Sequence, residues 1–269
     1  MERLLKIELL KILSYNTFII LFGLTIGFYI LFLLAGTQIN LNIDQFDLKA
    51  FLRFPTVWQS VSYYSSWFFP LLSLVVILIL GNEFNFRTLR QNIIDGLTRT
   101  EFFYGKLLII VLISLLVTIL LFVSAIIIGI SFTGLSINFN VAGLKYIFSF
   151  FIQTIAYLTF ALLISLLVKS VGASIVVFIG YFIFELIIRA YLSIFSLNFA
   201  NYLPAKVFAN LTPATSLSTI IADENIKLMI EKNTQLNTEL SFNANLIVAF
   251  IYLIIFVLLS YQIIKNKDL

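Results

Sequence analysis

Long runs of apolar residues, separated by short polar segments, dominate the 269-residue chain. Six of these runs are about 20 residues long, the length that an α-helix needs to cross the hydrocarbon core of a membrane. They fall at about residues 17–35, 60–81, 105–130, 146–168, 171–190 and 244–264. The pattern therefore predicts an all-α integral membrane protein, with six transmembrane helices in a single domain over residues 1–269.

Composition supports this prediction. The chain is 61% hydrophobic and 11% charged, whereas a soluble domain carries about 25% charged residues. That is too little charge to cover a water-soluble surface. The first run is longer than the apolar part of a signal peptide, so we expect it to be a retained helix.

The distribution of charge predicts the orientation. If both termini are cytoplasmic, the cytoplasmic segments hold ten Lys and Arg and six acidic residues, and the other side holds seven of each. An excess of Lys and Arg is typical of cytoplasmic segments. We therefore expect a multi-pass protein of the inner membrane with both the N- and the C-terminus in the cytoplasm.

Two longer segments fall on the opposite side. Four aromatic residues, Trp58, Tyr63, Tyr64 and Trp67, precede the main part of the second run, as expected where a chain re-enters a membrane interface. The outer loop region 198–243 is larger, and its apolar residues at 226, 230 and 236 predict a short helix packed on the spans.

The segment between the second and third runs has helical periodicity. Phe86, Leu89, Ile93 and Leu97 recur at intervals of three and four residues and so share one face. Such an amphipathic helix is expected to lie in the membrane interface, with its polar face toward the cytosol.

The end of this helix carries two stop signals. Gly96 can adopt the left-handed conformation that closes a helix. Thr98 and Glu101 have the spacing of a capping box for the following helix. The sequence therefore predicts a helix, a sharp turn and a second helix. The surface helix and its turn either transmit force from a soluble motor to the spans or form an ordinary amphipathic connection.

The same stretch resembles the ABC-2 type transporter permease family. Members have a Glu at the end of the second span, a Thr-x-Arg helix, a Ser/Thr-Arg turn and a Lys that opens the third span. The corresponding residues here are Glu83, Thr88, Arg90, Thr98, Arg99 and Lys106. Leu211-Thr212-Pro213 is also similar to a family pattern. Many relatives have Gly where this chain has Arg87, which is a departure from that pattern.

The resemblance implies one ABC-2 type transmembrane domain, a permease that works as a homo- or heterodimer on an ABC ATPase subunit dimer. The helix at about 84–95 would be the coupling helix, and residues 2–11 would form a second interfacial helix, with Leu4, Leu5, Leu9 and Ile12 on its apolar face. The residues expected to contact the ATPase are Glu83, Phe84, Arg87, Thr88, Arg90, Asp95, Thr98 and Arg99. No phosphate-binding loop is present in the sequence, so we expect no cofactor here and ATP on the partner subunit.

Three polar residues inside the predicted spans are further candidates. Glu185 lies four residues before Arg189, on the same helical face. A charge in a span needs a partner or water, so the two residues either form an ion pair or line a transport path or dimer seam. Gln153 is a candidate for interhelical hydrogen bonding.

A stand-alone secondary transporter and an intramembrane enzyme are the alternatives to an exporter permease. A stand-alone secondary transporter would use Glu185 as its ion or proton site, but two interrupted spans at matching positions are not evident. An intramembrane enzyme is disfavoured, because the chain has no His, no Cys and no clustered acids in its spans. We expect no catalytic residue, no metal site and no nucleic-acid partner; membrane lipid is an expected partner.

Overall fold

The structure, a computed structural model, describes residues 2–38, 48–86, 88–94, 96–134, 141–195, 198–215 and 240–266. Within these ranges the chain is helical and contains no β-strand. Short 3₁₀ segments occur at Leu48–Leu52 and Asn198–Tyr202. The α-helices of the described residues are α1 (Glu2–Ser14), α2 (Asn16–Gln38), α3 (Val57–Ser66), α4 (Phe69–Asn85), α5 (Thr88–Ile94), α6 (Arg99–Thr133), α7 (Val141–Val168), α8 (Val171–Ile194), α9 (Pro204–Ala209) and α10 (Phe242–Asn266).

Five of these helices, α2, α6, α7, α8 and α10, are long and apolar enough to cross a membrane. The number rises to six if α3 and α4 together form one span. Each of the five contains one of the predicted apolar runs. The prediction of an all-helical, multi-pass membrane protein is therefore confirmed at this level.

The predicted second span is two helices rather than one. The axes of α3 and α4 meet at an angle of 44°. Pro70 lies in the first turn of α4, where the missing N–H of proline costs no helical hydrogen bond. Helix α4 continues to Asn85. Glu83 therefore lies near the end of this helix, as the family resemblance implies, whereas Phe84 belongs to the same helix and not to the surface helix expected at about residues 84–95.

Helix α7 lies at the centre of the bundle and packs against α3, α4, α6, α8 and α10. Its buried positions include small and hydroxyl-bearing residues, among them Thr154, Ala156, Ala161 and Ser165. Small residues let helix backbones approach closely in membrane bundles. The Ser165 hydroxyl donates a hydrogen bond of 3.4 Å to the carbonyl of Ile77 in α4.

Both ends of the described chain meet the start of α6. In α1, Glu8 pairs with Lys106 in the second turn of α6. In the last turn of α10, the carbonyl of Lys265 accepts a hydrogen bond from Arg99 in the first turn of α6. Helix α1 and the C-terminal end of α10 therefore lie at one end of the bundle, here named the Lys106 end.

At the other end, named the Glu185 end, part of the predicted outer loop region is buried. Val207, Phe208 and Leu211 are almost completely enclosed by the bundle. This segment is therefore part of the core and not a surface connection. The short helix expected around residues 226–236 lies outside the described residues.

Trp58 also differs from the expectation of an interfacial aromatic residue. Its side chain is fully buried and stacks on Phe122 of α6. Gly143 of α7 lies directly against the indole ring. Trp67, by contrast, is 61% exposed, whereas Tyr63 and Tyr64 are half-buried.

Candidate functional site

A buried group of charges joins three helices at the Lys106 end. Lys106 of α6 lies with its Nζ 2.5 Å from Glu8 Oε2 of α1 and 2.6 Å from Glu83 Oε1 of α4. Lys11 Nζ lies 3.5 Å from Glu8 Oε1 and 3.8 Å from Glu83 Oε1. We name these four residues the charge cluster. Glu8, Glu83 and Lys106 are each at most 3% exposed.

The charge cluster contains two positive and two negative groups, so it is balanced. Burying an unpaired charge is costly, whereas two opposite charges in hydrogen-bonding contact offset each other's desolvation. In the part of the chain that the structure describes, no group of acidic residues is arranged as a metal site. In the charge cluster, the Lys106 ammonium occupies the space between the two carboxylates.

A glycine permits the close approach of α1 to α6. A Cβ on Gly105 would lie 3.2 Å from Cγ of Glu8. The absence of a side chain at Gly105 therefore leaves room for the Glu8 stem, which carries its carboxylate to Lys106 in the next position of α6. Ile12, one turn after Glu8, is buried on the same face of α1.

Helices α4, α5 and α6 form a surface elbow at the same end, defined by residues 83–101. Helix α5 ends in a left-handed glycine: Gly96 has a φ of 96°. The N–H of Leu97 donates a hydrogen bond of 3.0 Å to the carbonyl of Asn92. This bond across the glycine is the one that closes a helix in a Schellman motif, so the predicted stop is confirmed.

The capping box at the start of α6 is also confirmed. The N–H of Glu101 donates to Thr98 Oγ1 at 3.2 Å, and the N–H of Thr98 donates to Glu101 Oε2 at 2.9 Å. Two N–H groups that have no partner inside the helix are thereby satisfied. Arg99 Nη1 donates a hydrogen bond of 2.9 Å to the Lys265 carbonyl, so the elbow is also tied to α10.

The structure separates the residues expected to contact an ATPase into different environments. Glu83 is buried in the charge cluster, and Phe84 packs against the core. The Thr88 hydroxyl donates to the Glu83 carbonyl at 3.4 Å, whereas Thr98 is exposed in its capping box. Arg87 and Asp95, and the side chain of Arg90, lie outside the described residues.

The expected apolar stripe of α5 is present only in part. Leu97 packs against the core, but Phe86 lies in the turn before α5 and is 67% exposed. The side chains of Leu89 and Ile93 lie outside the described residues. Phe86 does not share the apolar face of α5, because α4 continues through Asn85 and Phe86 lies in the turn that follows. This turn interrupts the helical spacing between Phe86 and the residues of α5.

The sequence interpretation missed the roles of Glu8 and Lys106. The charge distribution alone identifies Glu8 only as one of the six acidic residues expected on the cytoplasmic side. Its spacing from Leu4 and Ile12 is four residues in each direction, which places Glu8 on the apolar face of α1. A carboxylate on an apolar face signals a buried partner of opposite charge, and Lys106, at the start of an apolar run, supplies it.

A second polar group lies at the Glu185 end. Glu185 Oε2 accepts hydrogen bonds of 2.8 Å from the Tyr181 hydroxyl and from the N–H of Ala205. Oε1 accepts a bond of 2.8 Å from the N–H of Lys206. The carboxylate thus caps the N-terminus of α9, where free N–H groups favour negative charge. Arg189 Nε lies 4.0 Å from Oε1, as expected for a same-face pair.

Gln153 holds the other end of the same buried segment. Its Oε1 accepts a hydrogen bond of 2.8 Å from the Thr212 hydroxyl. Gln59 of α3 donates to the carbonyls of Pro213 and Ala214 at 3.2 and 3.1 Å. The predicted intramembrane residues Gln153, Glu185 and Arg189 therefore gather around the segment that contains α9.

Together these features define an α-helical, multi-pass membrane protein with a surface elbow held by buried ion pairs. Residues 45–269 match the model of the family described as "Protein of unknown function (DUF2705)", and the chain belongs to this family. No curated protein matches the chain.

Proposed function

We propose that the protein is the permease subunit of an ATP-binding-cassette exporter. In this proposal it pairs with a second permease subunit, and a separate ATPase dimer binds and hydrolyses ATP. The chain itself catalyses no reaction and carries no cofactor. The observation that supports this proposal is the attachment of the surface elbow to α1 and α4 through the charge cluster, and to α10 through Arg99.

A soluble motor must push on a rigid element if its movement is to reach the spans. The charge cluster joins α1, α4 and α6, and removing one partner of a buried ion pair costs about 3–5 kcal/mol. Force on α5 is therefore expected to move the ends of these helices together. Glu83 acts in this proposal as a positioning residue for α4 and not as a direct contact with the ATPase.

The Lys106 end faces the cytoplasm of the inner membrane in this proposal. Arg3, Lys6 and Lys11 of α1, Arg99 of α6 and Lys265 of α10 all belong to helix segments at that end. Lys and Arg near the ends of spans favour the cytoplasmic side. The ATPase would then approach α5 from the cytosol.

The exposed surface of the elbow offers a contact for such a partner. Phe86 is 67% exposed, and Ile94 at the end of α5 is 77% exposed. Aromatic residues such as Phe86 are enriched at protein–protein interfaces relative to the rest of the surface. Gln91 of α5 is also exposed. Arg87, Arg90 and Asp95 stay proposed contacts on the basis of the family resemblance.

The alternative, a secondary transporter with its ion site at Glu185, receives less support. Both carboxylate oxygens of Glu185 accept hydrogen bonds from the backbone of α9, and Oε2 also accepts one from Tyr181. This use of the carboxylate favours a role in anchoring α9 over one in binding a transported ion.

The proposal is tested by purifying the tagged chain from membranes of its native host. Mass spectrometry identifies co-purifying chains with a phosphate-binding loop, and ATP hydrolysis by the complex is measured. We expect F86E to reduce the recovered ATPase. F199E is the matched control, because Phe199 is 65% exposed at the Glu185 end. Transport by the purified chain alone, driven by a proton gradient, would contradict the proposal.

A further inference from the structure

Helix α2 stands apart from α6 along much of its length. It packs against α4 and α1, and a cleft of about 550 Å³ separates it from α6. One face of α2, within residues 29–37, lines this cleft on one side. One face of α6, within residues 116–128, lines it on the other.

The lining of the cleft is almost entirely apolar, and its few polar side chains are hydrogen-bonded within the protein; the Thr37 hydroxyl donates to the Leu34 carbonyl at 2.7 Å. The Tyr29 hydroxyl lies 2.7 Å from Ser124 Oγ across the cleft. Ser65 Oγ of α3 donates to the Tyr29 oxygen at 3.2 Å. Ordered water needs several polar partners in a cavity. These hydroxyl groups are already engaged, so the cleft is not built to hold water.

The cleft is open to the surrounding membrane. Ile119 and Ile127 on the α6 side are 51% and 60% exposed, and Leu34 on the α2 side is 56% exposed. Helical bundles are normally packed as densely as organic crystals. A gap of this size between two apolar faces therefore needs an occupant, and its volume lies in the range of about 300–1,000 Å³ that is usual for ligand sites.

The dimensions of the cleft fit hydrocarbon better than they fit a helix. Residues 116–128 of α6 cover about 18 Å at 1.5 Å per residue, which is close to the ~15 Å of one leaflet of a ~30 Å hydrocarbon core. A volume of about 550 Å³ open to the centres of water molecules over that length, widened by the ~1.4 Å water radius at each wall, gives a width of about 9 Å, whereas an α-helix with its side chains measures about 10–12 Å across. The cleft is thus narrower than a helix of a second copy.

A cation lies beside one end of this path. A neighbouring cleft shares Leu33 and Ile128 with the first, and Lys49 lines it. Lys49 lies at the far end from Lys106, in the direction of the Glu185 end. An ammonium group there complements the phosphate of a lipid whose chain enters the apolar cleft.

We propose that the α2–α6 cleft is a binding site for one acyl chain of a glycerophospholipid, with the phosphate of that lipid near Lys49. The apolar walls, the width and the length of the cleft carry this assignment. It is independent of any ATPase partner, so it stands or falls separately from the proposed function.

Photolabelling tests this site. The purified chain is reconstituted in phosphatidylcholine vesicles that contain a phosphatidylglycerol with a diazirine on one acyl chain, and labelled residues are mapped by mass spectrometry. We expect labels concentrated in residues 29–37 and 116–128. V123F, which fills the cleft, should lower this labelling several-fold. V176F should leave it unchanged, because Val176 is 70% exposed on α8, away from the cleft.

Two results would overturn the assignment. Equal labelling of the cleft and of the exposed face of α8 would show only general contact with lipid. Protection of the cleft from the probe, with crosslinks between two chains at residues 116–128, would assign it to a second copy. The labelling pattern of the wild-type chain distinguishes these outcomes even if V123F fails to fold.

Discussion

The ammonium nitrogen of Lys106 lies 2.6 Å from a carboxylate oxygen of Glu83, although the two residues belong to different helices and both side chains are buried. Glu8 of α1 completes the arrangement at 2.5 Å from the same nitrogen. The contact matters because it lies beside the surface elbow, where α4 ends and α6 begins. Any movement of the elbow relative to α1 must break or carry these ion pairs.

Replacing Lys106 by Met is expected to destabilise the protein by about 3–5 kcal/mol, because two buried carboxylates would lose their main counter-charge. The free energy of unfolding is measured in detergent by denaturant titration. K265M is the matched control, since Lys265 is exposed at the same end of the bundle, and it should change stability little.

The triple variant E8Q/E83Q/K106M separates a charge effect from a packing effect. Removing these three charges leaves only Lys11 of the cluster, whose side chain is 27% exposed and can reach water, so the triple variant should be more stable than K106M alone. A triple variant less stable than K106M would show that the charge cluster is not the reason for the loss.

The capping box gives a second prediction. T98A should destabilise α6 by about 0.5–2 kcal/mol, because the N–H of Glu101 loses its acceptor. Hydrogen exchange at residues 99–101 measures the effect locally. T98S keeps the hydroxyl and should restore protection, so equal exchange in T98A and T98S would contradict the assigned role of the cap.

Local features of this fold could be predicted from the sequence because local physics determines them. The apolar runs predicted the five long helices with ends that differ by at most six residues, the largest difference being at the start of α6. Gly96 and Thr98 marked the turn correctly, since a left-handed glycine and a hydroxyl cap act over four or five residues. The pairing of Glu185 with Arg189 followed from helical spacing alone.

Features that depend on distant contacts could not be predicted in this way. Glu8 and Lys106 are 98 positions apart, and no periodicity within α1 or α6 shows which partner each meets. The burial of Trp58 depends on Gly143, which belongs to a later helix. The burial of Phe208 depends on two distant side chains. Glu185 of α8 accepts a hydrogen bond from Ala205, before Phe208, and Gln153 of α7 accepts one from Thr212, after it.

Close packing at Gly143 gives a third prediction. A Cβ there would overlap the indole ring of Trp58, which is fully buried and cannot move aside. G143A is therefore expected to cost about 1–3 kcal/mol through overpacking. A Cβ on Gly180 of α8 would have no neighbouring atom within 4 Å, so G180A should be neutral or slightly stabilising. Thermal unfolding of the two variants gives the comparison, and similar melting temperatures would contradict the packing.

A fourth prediction concerns Glu185. E185Q removes the charge that accepts the backbone N–H groups of Ala205 and Lys206, and hydrogen bonds to a charged group contribute about 1.5–3 kcal/mol. We expect faster hydrogen exchange in residues 204–209, with the exchange of α1 unchanged. Loss of transport without any change in this exchange would instead favour the ion-site alternative.

The position of the chain ends gives the last prediction, and the absence of cysteine from the sequence makes it direct. The experiment uses four single-cysteine variants. Three of them, R3C, I94C and Q262C, place the cysteine on helices that meet at the Lys106 end, and F199C places it at the Glu185 end. A membrane-impermeant maleimide added to intact cells should label F199C only. After the cells are opened, it should label the other three as well. Labelling of I94C from outside the cell would place the elbow out of reach of any cytosolic ATPase. Labelling of R3C and Q262C from opposite sides would contradict an even number of crossings, and with it the pairing of α3 and α4 as one span.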